Sequence, residues 1–290
     1  AEVDFVDVGD GLKGAKLQTM ATEKIAEAIE HAKSADLAIV VVGENSIRTD
    51  WNGRTCGENK ARADLQLPGN QKELVEEVFA TGTPTIAILV NGRPLAVNWM
   101  DEHLPAIVEA WEPGSFGGQA LAEILFGEVN PSGHLPITFP RSVGQLQMIY
   151  NHKPSQYFHK YVFSPTTPLY PFGHGLSYTT FEYSNLRVPS SIRAGVPVEV
   201  SVDVTNTGNR SGEDDVLLYV NDVVSSVTTP VRELEAYGRV DLAPDETKTV
   251  QMTINPEQLA LYDIAGKWCV EPGRFDVFVD NLEGHFVVTE

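Results

Sequence analysis

Four carboxylates, Glu44, Asp50, Glu58 and Asp64, share one polar stretch with Arg48, Trp51, Arg54 and Arg62. A carboxyl group can protonate a leaving oxygen and later activate water, provided burial or a nearby carboxylate lifts its pKa toward neutrality. Guanidinium groups beside it supply hydrogen-bond donors, and an indole offers an apolar face to a sugar ring. The mix suits a carbohydrate site. It also suits a solvated loop, so the elements around the stretch decide.

A β-branched run, Ile39–Val42, stops at Gly43-Glu44 and leads into this polar stretch. About two dozen residues pass before regular structure resumes, and a loop of that length is usually functional or disordered. Leu65, Leu67 and Pro68-Gly69 close it, and Asn70 with Glu73 three residues on predicts a capped helix carrying Leu74, Val75, Val78 and Phe79, with Gly82 as its stop. Before the loop, Ile25, Ile29 and Ala32 recur at helical spacing from Thr22. Beyond it, Thr85–Val90 and Ala106–Trp111 read as strands ending in Asn91-Gly92-Arg93-Pro94 and Glu112-Pro113-Gly114. A short helix at Ala120, Leu121, Ile124 and Leu125, stopped by Gly127, and a fourth strand at Leu135–Phe139 follow. Continuous apolar strands alternating with helices predict a mostly parallel sheet buried on both faces. Its strand ends gather on one edge, where ligands of such sheets bind.

Residues 141–180, rich in Pro, Tyr, Phe and His, read as an ordered wrapping segment. The texture then changes. Val196, Val198, Val200, Val202 and Val204 alternate with polar residues, which marks a strand with one buried face. Val216–Val220, Val250–Ile254, Phe275–Val279 and Phe286–Thr289 are further strands, separated by turns such as Asn206-Thr207-Gly208-Asn209 and Ala243-Pro244-Asp245. This pattern predicts an antiparallel β-sandwich without a cluster of catalytic residue types.

With 290 residues the chain is long enough for two cores. Forty acidic residues against twenty-one basic ones give a formal charge of −19, which disfavours nucleic acid and anionic membranes as partners. No apolar run approaches a membrane span. The first residues lack a basic and apolar leader pattern, and the absence of an initial Met suggests processing or a fragment. No strand is followed by GxGxxG, and GxxxxGK[ST], GxSxG and HExxH are absent, so no cofactor is expected. Cys56, Cys269 and the seven scattered histidines fit no metal spacing, and two free thiols are expected, with a bridge left open.

Five stretches carry a family resemblance: AIVVVGEN (38–45), RADLQLPGNQ (62–71), ILVNGRPLAVNW (88–99), AWEPGSFGGQALAEILFGEVNPSGHLPITFPRSVGQL (110–146) and PLYPFGHGLSYTTFEYS (168–184). With these in order, the chain resembles the C-terminal portion of a glycoside hydrolase family 3 enzyme of the β-glucosidase and β-xylosidase kind. The resemblance implies an α/β sandwich over 1–165, a linking segment at 166–181 and a fibronectin type III-like β-sandwich over 182–290. It implies a retaining exo-β-glycosidase acting on a β-linked glucoside or oligosaccharide. The nucleophile would be an Asp on a (β/α)8-type barrel absent from this chain, which alone would be inactive. A β-xylosidase is the alternative within the class, and a non-catalytic carbohydrate-binding or assembly module the alternative outside it. The family's acid/base lies in the loop matching 43–64. Glu58 is the first candidate, because a Glu after Gly and shortly before Arg and the DLxLP segment fits the family pattern. Glu44 is the runner-up, or else a loop anchor that holds Arg62 or backbone amides. Trp51, Asp50 and Arg54 are candidate substrate contacts, although Trp51 could equally plug the loop and Arg54 could be solvated. Asp64 is expected to support the loop through Arg62. Family members of this architecture are often secreted or periplasmic.

Overall fold

The computed structural model describes residues 6, 12–13, 16–17, 22–46, 54–57, 59–154 and 161–290. The chain forms two compact units. The first holds residues 1–123, 139–146 and 167–169, and the second holds 124–138, 147–166 and 170–290. Residues of the 141–180 segment fall in both clusters.

In the first unit, a two-residue hairpin, β1 (Leu12–Lys13) with β2 (Lys16–Leu17), precedes α1 (Thr22–Ser34). Three parallel strands follow in the order β3 (Ala38–Gly43), β4 (Thr85–Val90), β5 (Ala106–Glu109). Helices α2 (Gln71–Ala80) and α3 (Asn98–His103) lie in the two crossovers, and α4 (Gly117–Leu125) follows β5. The helical spacing is realised as burial: Ile25 and Ala32 of α1 and Leu74, Val75 and Val78 of α2 are in the core. Central β4 is enclosed, with Thr85, Ala87, Ile88 and Leu89 all buried.

Edge strand β3 departs from expectation. Val40 and Val42 are buried, but Ile39 and Val41 are 44% and 57% exposed, so its apolar run covers only one face. A second departure is α3, which has little apolar patterning of its own. It is held by aromatic packing: Trp99 stacks on His103 at 4.4 Å and meets Phe79 of α2 edge-on at 5.6 Å. A third is Leu135–Phe139, which is not a strand. Pro136 and Pro140 lack amide donors, so the run cannot sustain a ladder. Its backbone is pinned piecewise, Leu135 N to His174 O and Gly173 N to Leu135 O within the second unit, and Leu169 N to Phe139 O within the first.

The second unit is an antiparallel sandwich. One sheet has the order β10 (Glu233–Leu242), β9 (Gly212–Asp222), β14 (Gly273–Val279), β15 (Leu282–Thr289), β7 (Ser191–Arg193). The other has the order β11 (Thr247–Ile254), β8 (Val198–Asn206), β6 (Phe181–Arg187). A short hairpin of β12 (Leu261–Tyr262) and β13 (Trp268–Cys269) stands beside them. The valine alternation does what its period requires: Val198, Val200, Val202 and Val204 all point into the core. Phe275 and Phe286 face each other across the β14–β15 register and stack at 5.3 Å. On the outer face Asp203 accepts from both guanidinium nitrogens of Arg187 and from Asn185 and Thr249, which hold its carboxyl well below the usual range. His134 lies 3.3 Å from Asp214, whose other oxygen accepts from the Tyr183 hydroxyl. Both cysteines are free.

Candidate active-site loop

The carboxyl end of β3 is built around a glycine. An added Cβ at Gly43 would lie 1.9 Å from Val90 O of β4, so only glycine allows the two backbones this close. The Gln71 side chain brackets the same peptide unit, with Gly43 N to Oε1 at 2.6 Å and Nε2 to Gly43 O at 2.8 Å. The first residue of α2 is thereby tied to the strand end. Glu44 continues the ladder through its amide to Val90 O.

The Glu44 side chain is fully enclosed. Its Oε1 accepts from Arg62 Nη1 at 3.0 Å, and its Oε2 accepts from Arg93 Nε at 3.0 Å. Arg62 also donates to Asp64 Oδ1 at 2.8 Å and to Gln66 O at 2.8 Å, and Gln66 N caps Asp64. Asp64 thus supports the loop through Arg62. Arg93 donates from Nη2 to Thr55 O and Lys60 O, at 3.3 and 2.8 Å. Asn45 and Thr55 clasp reciprocally: Thr55 N donates to Asn45 O, and Asn45 N donates to Thr55 Oγ1, both at 2.8 Å.

Cys56 plugs the loop into the scaffold. It is buried, 3.9 Å from Glu112 Oε1, and an added Cβ at Gly92 would meet its Sγ at 3.5 Å. Burial, then the charges of Glu44 and Glu112, raise its thiol pKa, which keeps it neutral and unreactive. Arg54 is also buried, at 8% exposure, where a solvated side chain was one expectation. Of the other sequence-derived candidates, Asp50, Trp51 and Glu58, together with Arg48, lie outside the described residues. The residues flanking position 58 are described. Gly57 has φ +92° and Asn59 φ +57°, and Lys60 N bonds Gly57 O at 3.2 Å. The hydrogen bond closes a four-residue turn, with Asn59 in the left-handed region.

Sequence reasoning assigned no role to Arg93, Gln71 or Cys56, nor to a half-buried carboxyl at the end of β5. Glu109 Oε1 accepts from Trp111 N at 2.9 Å, and its Oε2 lies 3.3 Å from Asn91 Nδ2. Trp111 has φ +51° and packs edge-on against Phe139 at 5.8 Å. Burial pushes the Glu109 pKa up to about 7, against the two hydrogen bonds. Because the folded state holds this proton and the unfolded chain does not, stability is full below about pH 4.5 and falls as pH rises toward 7. The loss above that window is roughly 3 kcal/mol. Glu109→Gln is expected to abolish it: hydrogen-exchange protection of β4 in the variant stays level with pH where that of the parent falls. Equal slopes would overturn the assignment. A separate cavity of about 330 Å³ is lined by Gln66, Leu67, Lys72, Asn98, Trp99 and Glu102, and neither Glu44 nor Asp64 lines it.

A parallel-sheet unit with a charged loop pinned over its carboxyl edge, joined to a β-sandwich, is the architecture of one hydrolase class. The glycosyl hydrolase family 3 C-terminal domain matches residues 4–178, and a fibronectin type III-like domain matches residues 215–282. The chain belongs to glycoside hydrolase family 3. It is 42% identical over 292 residues to a β-xylosidase of Formosa agariphila, covering 95% of this chain and 39% of that protein. It is 41% identical over 266 residues to a periplasmic β-glucosidase of Salmonella typhimurium, covering 88% of this chain and 34% of that protein. The solved β-glucosidase EmGH1 of Erythrobacter marinus superposes with a TM-score of 0.85 at 42% identity, over 92% of this chain and 36% of that one. The chain therefore spans little more than a third of the length of these relatives.

Proposed function

We propose that this chain supplies the general acid/base, Glu58, to a retaining exo-β-glycosidase of the β-glucosidase kind. The nucleophile would be an Asp on a (β/α)8-type barrel outside this chain. The observation that carries the proposal is the loop: Arg93 holds the carbonyls of Thr55 and Lys60, on either side of position 58, at the carboxyl edge of the parallel sheet. A backbone tethered on both sides suits a group that must meet a substrate oxygen at hydrogen-bond distance. The two carboxyl groups of a retaining enzyme stand about 5–5.5 Å apart, close enough for the nucleophile's charge to keep the acid protonated at rest. Glu44 is assigned the anchor role, since both its oxygens are engaged by arginines and its side chain is enclosed. Relatives named β-xylosidase support a xyloside as the second substrate reading.

The test is hydrolysis of 4-nitrophenyl β-glucoside and β-xyloside by this chain alone and after addition of its barrel portion. Turnover only in the mixture is expected, and the faster substrate identifies the sugar. Robust turnover by the chain alone would overturn the split site. Sugar binding without turnover in the mixture would favour a carbohydrate-binding module.

A further inference from the structure

We infer that Arg93 is the positioning residue of the acid/base, acting through the backbone on both sides of position 58. This rests on the assignment of Glu58 made above. Arg93 stands just beyond β4, on a different chain segment from the loop. One face of its guanidinium fork is fixed by Glu44, through Nε at 3.0 Å. The opposite side, Nη2, reaches Thr55 O and Lys60 O. These carbonyls precede and follow the turn made by Gly57 and Asn59. Both ends of the excursion that carries position 58 therefore converge on one nitrogen, and Glu44 sets the plane of the group bearing it.

An arginine suits this task because its fork is planar and rigid, so a carboxylate on one edge fixes where the other edge points. A lysine ammonium at the same place is a single point with freely turning donors, and it cannot serve the carboxylate and two carbonyls in one plane. Other anchors act on one side of the turn each. The Asn45–Thr55 clasp and Cys56 secure the incoming strand, and the Arg62 pair secures the outgoing one. Arg93 bonds both.

A catalytic carboxyl must be held within about 0.5 Å of its productive place. Releasing the turn therefore weakens proton donation to the leaving oxygen and leaves nucleophilic attack untouched. The prediction concerns leaving groups. A dinitrophenolate departs without a proton, whereas an alkoxide requires one.

The experiment compares Arg93→Met, Arg93→Lys, Glu58→Gln and the double variant Glu58→Gln/Arg93→Met in the full-length protein. The substrates are dinitrophenyl and methyl β-glycosides of its preferred sugar. For Arg93→Met, kcat/KM on the methyl glycoside is expected to fall at least 100-fold more than on the dinitrophenyl glycoside. Arg93→Lys should fall between the parent and Arg93→Met, and the double variant should be no slower than Glu58→Gln. A similar loss on both substrates, or none, while Glu58→Gln shows the leaving-group dependence, would overturn the role of Arg93 and leave the acid/base assignment standing. Normal rates for Glu58→Gln would instead overturn that assignment; a selective loss in Arg93→Met would then mean that Arg93 positions a different acid of the loop. Tryptic cleavage after Lys60 in this chain gives a readout free of catalysis. It is expected to quicken at least tenfold in Arg93→Met, and by a larger factor than the exchange of β4, which feels only the loss of the Glu44 pair. Unchanged cleavage would overturn the tether itself.

Discussion

Glu58→Gln in the full-length protein is expected to lower kcat on a methyl β-glycoside by about 10²–10⁴-fold, the usual yield of a positioned general acid. The substitution keeps the size of the side chain and removes only the titrating proton. Folding should be retained, because the described anchors around position 58 are backbone carbonyls held by Arg93. Stability should change by no more than about 1 kcal/mol, since glutamine keeps the shape of the side chain. The pH profile adds a second reading. The alkaline limb of kcat/KM reports ionisation of the acid in the free enzyme, so it should disappear in the variant while the acidic limb, belonging to the nucleophile, remains. Normal turnover, or a retained alkaline limb, would remove Glu58 from the mechanism.

The legible parts of the fold are those where period and burial coincide. The valines of β8 and the TIAILV run of β4 could be read because every second or every residue meets a core. Strand β10 escaped because only Val240 and Leu242 of its ten residues are buried, and an exposed strand leaves little period to see. Helix α3 escaped because its stability comes from Trp99, His103 and Phe79 meeting across two elements, which no local pattern records. Leu135–Phe139 was misread because apolar residues can pin an irregular segment as well as a ladder.

The site divides along the same line. That Asp64 acts through Arg62 follows from short spacing, and the composition of the polar stretch after β3 is what suits it to the proposed carbohydrate chemistry. The anchor role open to Glu44 needed its partner at Arg93, 49 positions away, and pairing at that range is set by the parallel register of β3 and β4. Gly43, Gln71 and Arg93 are all strand-end or helix-start residues. Their types were visible, yet the contact that gives each its purpose belongs to another segment. Glu109 shows the converse case: a glutamate at the end of an apolar strand reads as the edge of water, and only enclosure reveals its raised pKa.

Glu44→Ala is expected to destabilise the first unit by about 3 kcal/mol, the lower end of the cost of breaking a buried ion pair. The carboxylate is fully enclosed, and its loss strands two guanidinium groups whose side chains are only 15% and 21% exposed. Arg62 keeps Asp64, and Arg93 keeps two carbonyls, which holds the cost to that lower end. A melting shift of about 10 °C in this unit corresponds to it. Glu44→Gln should fare little better. It keeps the volume but turns one acceptor into a donor aimed at an arginine, so one charge-assisted bond becomes a repulsion. The sandwich supplies the internal control. Hydrogen exchange should accelerate in β3 and β4 peptides and stay unchanged in β8 and β14, since local opening reports the unit in which the contact lies. Equal acceleration in both units would mean that they unfold as one. A variant with unaltered exchange in β3 and β4 would mean that the arginines find water as good a partner as Glu44, and the loop would then need another anchor.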